Sequence, residues 1–251
     1  MTEQNTTMTL GDFRTALKRA ALFVSSDDSR PVMTAIRITF GGDSVRFDAA
    51  DGFKLAVQRY NAQGERGDVD ATALLRREDA AALLKALPKT IASDTDKITI
   101  GIDADAIGGN PNGRDSITIS HSVGDANTDP APGQRYSYLG ASGSFPDVDR
   151  LIPRELDGER DSTPRIALDA QHAIAVNKAA TIGRPTSAIV RWYMPADATS
   201  PVVAVIGSEF VAVIMPMFVD WGNVESETTI RYVLGEPAAP VPVAVEADAA
   251  S

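Results

Sequence analysis

Cysteine is absent from this chain of 251 residues, and histidine occurs only twice. The lack of cysteine excludes disulfides, thiolate zinc sites and cysteine nucleophiles, and it favours a reducing, cytoplasmic environment. Neither His121 nor His172 has the spacing of a metal-binding motif such as HExxH. We therefore predict structural roles for both histidines and expect no metal or other cofactor.

Long apolar runs are also missing. No run is long enough to span a bilayer, and the polar residues 1–8 lack the apolar core of a signal peptide, so we expect a flexible N-terminus and no membrane partner.

The net charge is −10. Such a surface repels phosphate over most of its area, so any contact with nucleic acid requires a local basic patch.

The residues that catalysis usually needs do not form a recognisable set. Four acidic residues, Asp12, Glu78, Asp79 and Asp169, fall in the first turns of predicted helices, where they complement the helix dipole. The loop at 108–115 has two glycines at phosphate-loop spacing but lacks the lysine and hydroxyl residues of that motif. The sequence therefore favours a binding protein over an enzyme, with no catalytic residues.

Two periodicities alternate along the chain. Helical spacing of apolar residues predicts helices at 9–25, 76–87 and 169–180. Alternating patterns predict strands at 36–40, 45–49, 54–60, 97–102, 116–121, 135–139, 166–168, 188–194, 202–206 and 210–217. Thr9 and Asp12, three residues apart, predict the N-cap of the first helix. The pattern indicates an α+β protein of three units, each with one helix and three or four strands.

Four short segments, which make up three motifs because the first two form one block, carry a resemblance to a known family. Residues 30–35 (RPVMTA) are followed by 49–57 (AADGFKLAV), then by 145–153 (FPDVDRLIP) and finally by 213–217 (VIMPM). In this order and at these intervals they resemble motifs of the bacterial sliding clamp, the beta subunit of DNA polymerase III.

The resemblance implies a DNA-clamp fold of helix-plus-antiparallel-sheet units, in which helices line a ring and sheets form its outside. Residues 9–145 would be one clamp domain similar to the family's middle domain, and 146–164 a linker. Residues 165–222 would be a partial domain similar to the end of the last domain, and 223–251 a largely disordered extension. This shortened form, about one and a half domains, favours a phage or mobile-element origin. A ring of twelve units would need four chains, so we expect a homo-oligomer.

The resemblance also implies a function: a DNA polymerase processivity factor that holds duplex DNA non-specifically and docks polymerase and clamp-loader peptides in an apolar groove. Two positions depart from the family pattern, because Ala50 stands for the usual threonine and Phe218 for the usual arginine. The matching groove positions are Met33, Ala50, Gly52, Phe53, Lys54, Leu55, Pro146, Leu151, Val213, Met215, Pro216 and Met217.

Basic residues concentrate in the predicted helices. The windows 9–25, 76–90 and 169–184 carry +2, +2 and +1, so the rest of the chain carries −15. This segregation suits a basic channel inside an acidic rim, although basic residues near helix C-termini also complement the helix dipole. The residues predicted to face DNA are Arg14, Lys18, Arg19, Arg76, Arg77, Lys85, Lys89, Lys178 and Arg184.

Two alternatives stay open at this stage. One is a clamp-derived module that binds peptides without encircling DNA, and the other is an unrelated structural or assembly protein of mixed α and β structure. Solution mass distinguishes the clamp from the module, and binding of a clamp-interacting peptide distinguishes both from the unrelated protein.

Overall fold

The computed structural model describes residues 3–41, 43–62, 71–88, 96–103, 116–122, 134–152, 166–183, 189–195, 197 and 199–218. Residues up to Met217 form one compact unit. Within the described ranges, no helix is both long and apolar enough to cross a membrane. The predicted loop at 108–115, most of the linker and the C-terminal extension from 223 onward lie outside them.

Three units follow one another along the chain. The first contains β1 (Glu3–Thr9), α1 (Leu10–Ala20), β2 (Ala35–Gly41), β3 (Ser44–Ala50) and β4 (Lys54–Asn61). The second contains β5 (Ala71–Arg76), α2 (Arg77–Ala86), β6 (Lys97–Asp103), β7 (Ser116–Ser122) and β8 (Arg135–Leu139). After a 3-10 turn, the third contains α3 (Ala170–Thr181), β9 (Val190–Tyr193), β10 (Val202–Ile206) and β11 (Phe210–Ile214). The predicted three-unit α+β order is confirmed.

The N-cap of α1 also forms as predicted, since the Asp12 amide donates to Thr9 Oγ1 at 3.0 Å.

The prediction of a flexible N-terminus is wrong. Residues from Glu3 onward form β1, which pairs antiparallel with β6 over its full length, and Met8 is completely buried. Strand β5 was not predicted, and the predicted strand at 166–168 is reduced to one bridge between Ala167 and Met217.

Two antiparallel sheets result. The smaller has the order β1-β6-β7-β8, and the larger has the order β5-β2-β3-β4-β11-β10-β9. The first two units therefore exchange their leading strands, because β1 joins the sheet of the second unit and β5 joins the sheet of the first. The third unit attaches through β11, which pairs with β4 from Phe210↔Gln58 to Ile214↔Lys54.

One large core lies between the helices and the two sheets. Buried apolar side chains of α1, such as Phe13 and Leu17, contact α2, α3 and the inner faces of both sheets. The Phe13 and Phe47 rings meet edge to face with centroids 6.0 Å apart. A second, smaller cluster lies on the other face of the large sheet, around the β4–β11 junction. This cluster forms the floor of the candidate site.

Candidate functional site

An apolar cavity of about 510 Å³ opens where the start of β4, the end of β11 and the 145–152 segment meet. Ten of the twelve predicted groove residues line it, and only Pro216 and Met217 do not. The sequence prediction missed two lining residues, Arg150 and Pro201. Among the residues that the structure describes, the lining is Met33, Ala50, Gly52, Phe53, Lys54, Leu55, Pro146, Arg150, Leu151, Pro201, Val213 and Met215.

The cavity has a closed apolar floor and an exposed apolar rim. Ala50, Leu55 and Val213 of the floor are buried. On the rim, Phe53 is 63% exposed and Leu151 is 51% exposed. Large apolar side chains rarely remain this open together in a protein that binds nothing at that surface. We name this cavity the groove.

The β3–β4 turn presents Phe53 at the rim. Asp51 Oδ1 accepts the amide N–H groups of Phe53 and Lys54, both at 2.9 Å, in an Asx turn. Gly52 has φ +99°, in a region that side chains disfavour, which explains the glycine in the DGF sequence. The Met215 amide then donates to the Phe53 carbonyl at 2.8 Å, so the end of β11 is held against the turn.

The strand pairing of β4 with β11 brings distant parts of the sequence together. Leu55 lies opposite Val213 in the register, and both project into the groove floor. The sequence spacing between these residues carries no hint of this contact, and only the resemblance to the clamp family predicted it.

A buried charge network holds the 145–152 segment as the groove's outer wall. Asp48 is completely buried and accepts hydrogen bonds from Arg37 at 2.7 Å and from Arg46 at 2.8 Å. Arg37 lies 4.9 Å from the centroid of the Phe145 ring, and Arg46 forms an ion pair with Asp149 at 2.8 Å. Each arginine thus connects the sheet to the segment that carries Pro146 and Leu151.

Within this network, Arg46 keeps its proton near neutral pH. Burial by itself lowers the pKa of Arg46, but the hydrogen bonds that Arg46 donates to Asp149 and Asp48 outweigh it, so the pKa is raised. Sequence analysis did not assign a role to Arg37, Arg46 or Asp48. One sequence signal could have indicated these contacts: opposite charges occur on the same face of two consecutive predicted strands, 36–40 and 45–49, where side chains of paired strands meet.

His172 borders the groove without a visible chemical role. Its ring stacks on Phe53 with centroids 6.1 Å apart and an interplanar angle of 19°. His121 is buried on the inner face of β7. In the described part of the chain, no three His, Asp or Glu side chains are grouped closely enough to hold a metal ion.

Two of the predicted DNA-facing arginines are buried, and for them the prediction is wrong. Arg14 donates to the carbonyls of Leu84 and Leu87 at 3.3 and 3.1 Å, at the C-terminal end of α2. Arg19, only 1% exposed, donates to the carbonyls of Ala179 and Ile182 at 3.0 and 3.2 Å, at the C-terminal end of α3. Each guanidinium donates to carbonyls at the end of a helix, where backbone donors are few. The Ala179 carbonyl also accepts from the Ile182 amide at 3.3 Å.

The other predicted DNA-facing residues differ in exposure. Lys18 on α1, Lys85 on α2 and Lys178 on α3 are exposed, on the sides of their helices that point away from the core. Arg76 and Arg77 are half-buried, and they form ion pairs with Glu78 at 4.0 Å and Asp28 at 3.5 Å. Lys89 and Arg184 lie outside the described residues. We name Lys18, Lys85 and Lys178 the helix lysines.

A second cavity, of about 550 Å³, lies beside Arg19 and is polar. Its lining pairs Arg19 and Arg59 with Asp12 and Glu209, so its charges balance. Burial raises the pKa of Tyr60, another lining residue, to about 12, which keeps its hydroxyl neutral. This cavity lacks the apolar character of the groove and matches none of the motifs of the sequence analysis.

Comparisons with known proteins agree on one family. Residues 7–118 match the model of the DNA polymerase III beta subunit, central domain. A beta sliding clamp of Streptomyces coelicolor is 33% identical over 75 residues, 30% of this chain and 20% of that protein. A beta sliding clamp of Synechocystis is 30% identical over 139 residues, 55% of this chain and 32% of that protein. The chain thus spans a fifth to a third of these relatives.

Solved structures show the same fold. The DNA polymerase III beta subunit of Thermotoga maritima has a TM-score of 0.63 at 14% identity, and the DNA polymerase sliding clamp of Pseudomonas aeruginosa has a TM-score of 0.62 at 14% identity. Each comparison covers 86% of this chain and 66% of the other. The predicted DNA-clamp fold is confirmed, and residues 7–118 are similar to the central domain of the DNA polymerase III beta subunit.

Proposed function

We propose that this protein is a sliding clamp for DNA replication in the cytoplasm. It holds duplex DNA without sequence preference through the helix lysines, docks peptides of a DNA polymerase and its clamp loader in the groove, acts as a homo-oligomer and catalyses no reaction. The observation that carries the proposal is the groove itself, an open apolar cavity whose lining includes ten positions that match the peptide-binding motifs of the family.

The shape and chemistry of the groove suit an extended peptide with apolar anchor residues. A volume of about 510 Å³ accommodates one or two large side chains. Met33 and Met215 on the wall adapt to anchors of different shape, because the methionine side chain is unbranched and polarisable. Ala50 leaves the floor without the hydroxyl of the usual threonine, so we expect a preference for purely apolar anchors.

The first prediction concerns peptide docking. Leu151→Asp places a charge on the exposed rim, and we expect it to weaken binding of a fluorescent clamp-binding peptide at least tenfold, because the carboxylate must be desolvated against the apolar anchor. The measurement is a fluorescence anisotropy titration. Ile189→Asp is the matched control, since Ile189 is 74% exposed and does not line the groove. Equal affinity for Leu151→Asp and wild type would contradict docking in the groove.

The second prediction concerns DNA. Replacing Lys18, Lys85 and Lys178 together by glutamine removes three exposed positive charges from three helices. Each phosphate contact contributes about 0.9 to the slope of log affinity against log salt, so loss of all three contacts reduces the slope by about 2.7. The measurement is retention on circular duplex DNA across a salt series. An unchanged slope would show that these lysines do not contact phosphates.

One alternative retains support from a specific observation. Arg14 and Arg19 are internal, so the exposed positive charge on the described helices is smaller than the sequence suggests. A clamp-derived module that binds peptides without encircling DNA needs no basic channel. Such a module would bind the fluorescent peptide but leave circular and linear DNA equally unretained. The family match is inconsistent with the other alternative, an unrelated structural or assembly protein.

A further inference from the structure

We propose that the polar cavity beside Arg19 is a second binding site, and that its ligand is a small zwitterion of dipeptide size, a molecule with one ammonium and one carboxylate group. This inference goes beyond the proposed function, because it involves neither the groove nor the helix lysines. Its basis is the distribution of paired and unpaired charges around a cavity of about 550 Å³, which we name the polar cavity.

The polar cavity lies at the opposite end of the β4–β11 strand pair from the groove. The start of β4 lines the groove, whereas residues 59–61 at its end line the polar cavity. Ser208 and Glu209, which directly precede β11, line the polar cavity from the third unit. Among the described residues, none lines both cavities, so ligand binding can be measured at one independently of the other.

The inner wall of the polar cavity is engaged in contacts within the protein. Besides the helix-end carbonyls, Arg19 donates to the Tyr60 hydroxyl and to Glu209 Oε1, both at 3.4 Å. Glu209 Oε2 accepts from the Ser208 amide at 2.9 Å. The charges of Arg19 and Glu209 thus compensate each other, and the groups left for a ligand lie nearer the solvent.

Two opposite charges line the polar cavity without pairing. Arg59 is exposed, and its guanidinium forms no ion pair with any residue in the described ranges. Asp12 Oδ2 accepts from the Thr9 hydroxyl at 2.8 Å, while Oδ1 has no hydrogen-bond partner in that part of the chain. The Thr9 contact and the N-terminus of α1 hold the Asp12 carboxylate in place, apart from Arg59 on β4. These two charges are the groups with which a ligand can pair.

The balance of charge selects the class of ligand. An anion in the polar cavity is repelled by Asp12 and Glu209, and a cation is repelled by Arg59 and Arg19. A zwitterion avoids both penalties, because its carboxylate pairs with the guanidinium of Arg59 and its ammonium group donates to Asp12. A ligand with both charges therefore has an advantage over a relative that lacks either one.

The size of the polar cavity suits a dipeptide. A sphere of its volume is about 10 Å across, and two extended residues span about 7 Å. The lining also includes Thr15, Asn61 and Ser208, whose hydroxyl and amide groups suit the N–H and C=O groups of a peptide bond.

Three related ligands test the charge requirement at pH 7. Glycylglycine is the zwitterion, N-acetylglycylglycine lacks the ammonium group and glycylglycinamide lacks the carboxylate. The measurement is an NMR titration of the ¹⁵N-labelled full chain, followed at the backbone amide signals of Asn61 and Ser208. We expect glycylglycine to shift these signals in a saturable manner. Each capped ligand should bind about fivefold more weakly, since an exposed ion pair contributes up to about that factor.

Two substitutions assign the charges to residues. Arg59→Gln removes the partner of the ligand's carboxylate, so this variant should bind glycylglycine and glycylglycinamide equally. Asp12→Asn removes the partner of the ammonium group but keeps an oxygen for the Thr9 hydroxyl, so it should bind glycylglycine and N-acetylglycylglycine equally. Arg191→Gln is the matched control and should keep the wild-type preference, because Arg191 is an exposed arginine of the same sheet that lines neither cavity.

Loss of the preference in the two cavity variants, with its retention in Arg191→Gln, would support the site. Three results would overturn it: no saturable shift at Asn61 and Ser208, equal binding of all three ligands by the wild type, or an unchanged preference in Arg59→Gln. The dispersion of the amide signals reports folding in the same spectra. If Asp12→Asn is unfolded, the comparison of Arg59→Gln with wild type decides by itself.

Discussion

Arg19→Leu is expected to lower the free energy of unfolding by about 3–5 kcal/mol, because it removes one partner of a buried polar network. The change removes the guanidinium hydrogen bonds to the carbonyls of Ala179 and Ile182 and the 3.4 Å ion pair between Arg19 and Glu209. Since domains of this size have a total stability of about 5–15 kcal/mol, this is a large fraction of it. The measurement is urea unfolding followed by circular dichroism.

Lys18→Leu is the matched control on the neighbouring position of α1. Lys18 is exposed, so its replacement should change the unfolding free energy by no more than about 0.5 kcal/mol. The two variants should therefore separate cleanly: Arg19 affects stability, whereas Lys18 affects DNA retention. A stability loss below about 1 kcal/mol for Arg19→Leu would show that the guanidinium is not a structural link between α1 and α3.

Asp48→Ala is expected to cost a similar amount, about 3–5 kcal/mol, because it leaves two mostly buried guanidinium groups without their shared carboxylate. Arg37 and Arg46 then lose their fixed positions beneath the 145–152 segment. The groove wall that carries Leu151 should loosen, so peptide affinity should fall together with stability. Urea unfolding and the fluorescent peptide titration measure the two effects on the same sample.

Asp147→Ala is the control for this second variant. Asp147 belongs to the same segment and forms a 2.9 Å ion pair with Arg150, but both side chains are largely exposed, and exposed pairs contribute about 0–1 kcal/mol. If the stability loss of Asp48→Ala did not exceed that of Asp147→Ala, the buried charge network would not be what holds the wall.

Helices and strands with one clearly apolar face were predicted correctly from the sequence. Strands were missed where few side chains are buried or where the residues favour a helix. The helical pattern of α1 and the alternation in β2 were unambiguous. Strand β1, EQNTTMT, was missed because it is an edge strand with a polar sequence and only one fully buried apolar side chain, Met8. Strand β5, ATALLR, was missed because alanine and leucine favour helices, and its strand conformation depends on pairing with β2.

The groove residues were predicted better from the sequence than the residues expected to face DNA. Motif order brought most groove positions together without any knowledge of the β4–β11 pairing. Charge counting, in contrast, treated Arg14 and Arg19 like Lys18, because composition does not distinguish a solvated cation from one bonded to helix-terminal carbonyls. The network around Asp48 was missed because nothing in the sequence links its three residues. Arg37 lies 11 residues from Asp48 and Arg46 lies 2 residues from it, and their contacts depend on the pairing of β2 with β3 and on side-chain burial.

The most direct test of the clamp is topological. The protein is loaded onto nicked circular DNA by its clamp loader or by high concentration, separated from free protein by gel filtration, and the DNA is then cut once. A ring that encircles the duplex should stay with the circle and leave the linear product from its ends. Equal retention before and after the cut, or no retention on the circle, would contradict the account of this protein as a sliding clamp.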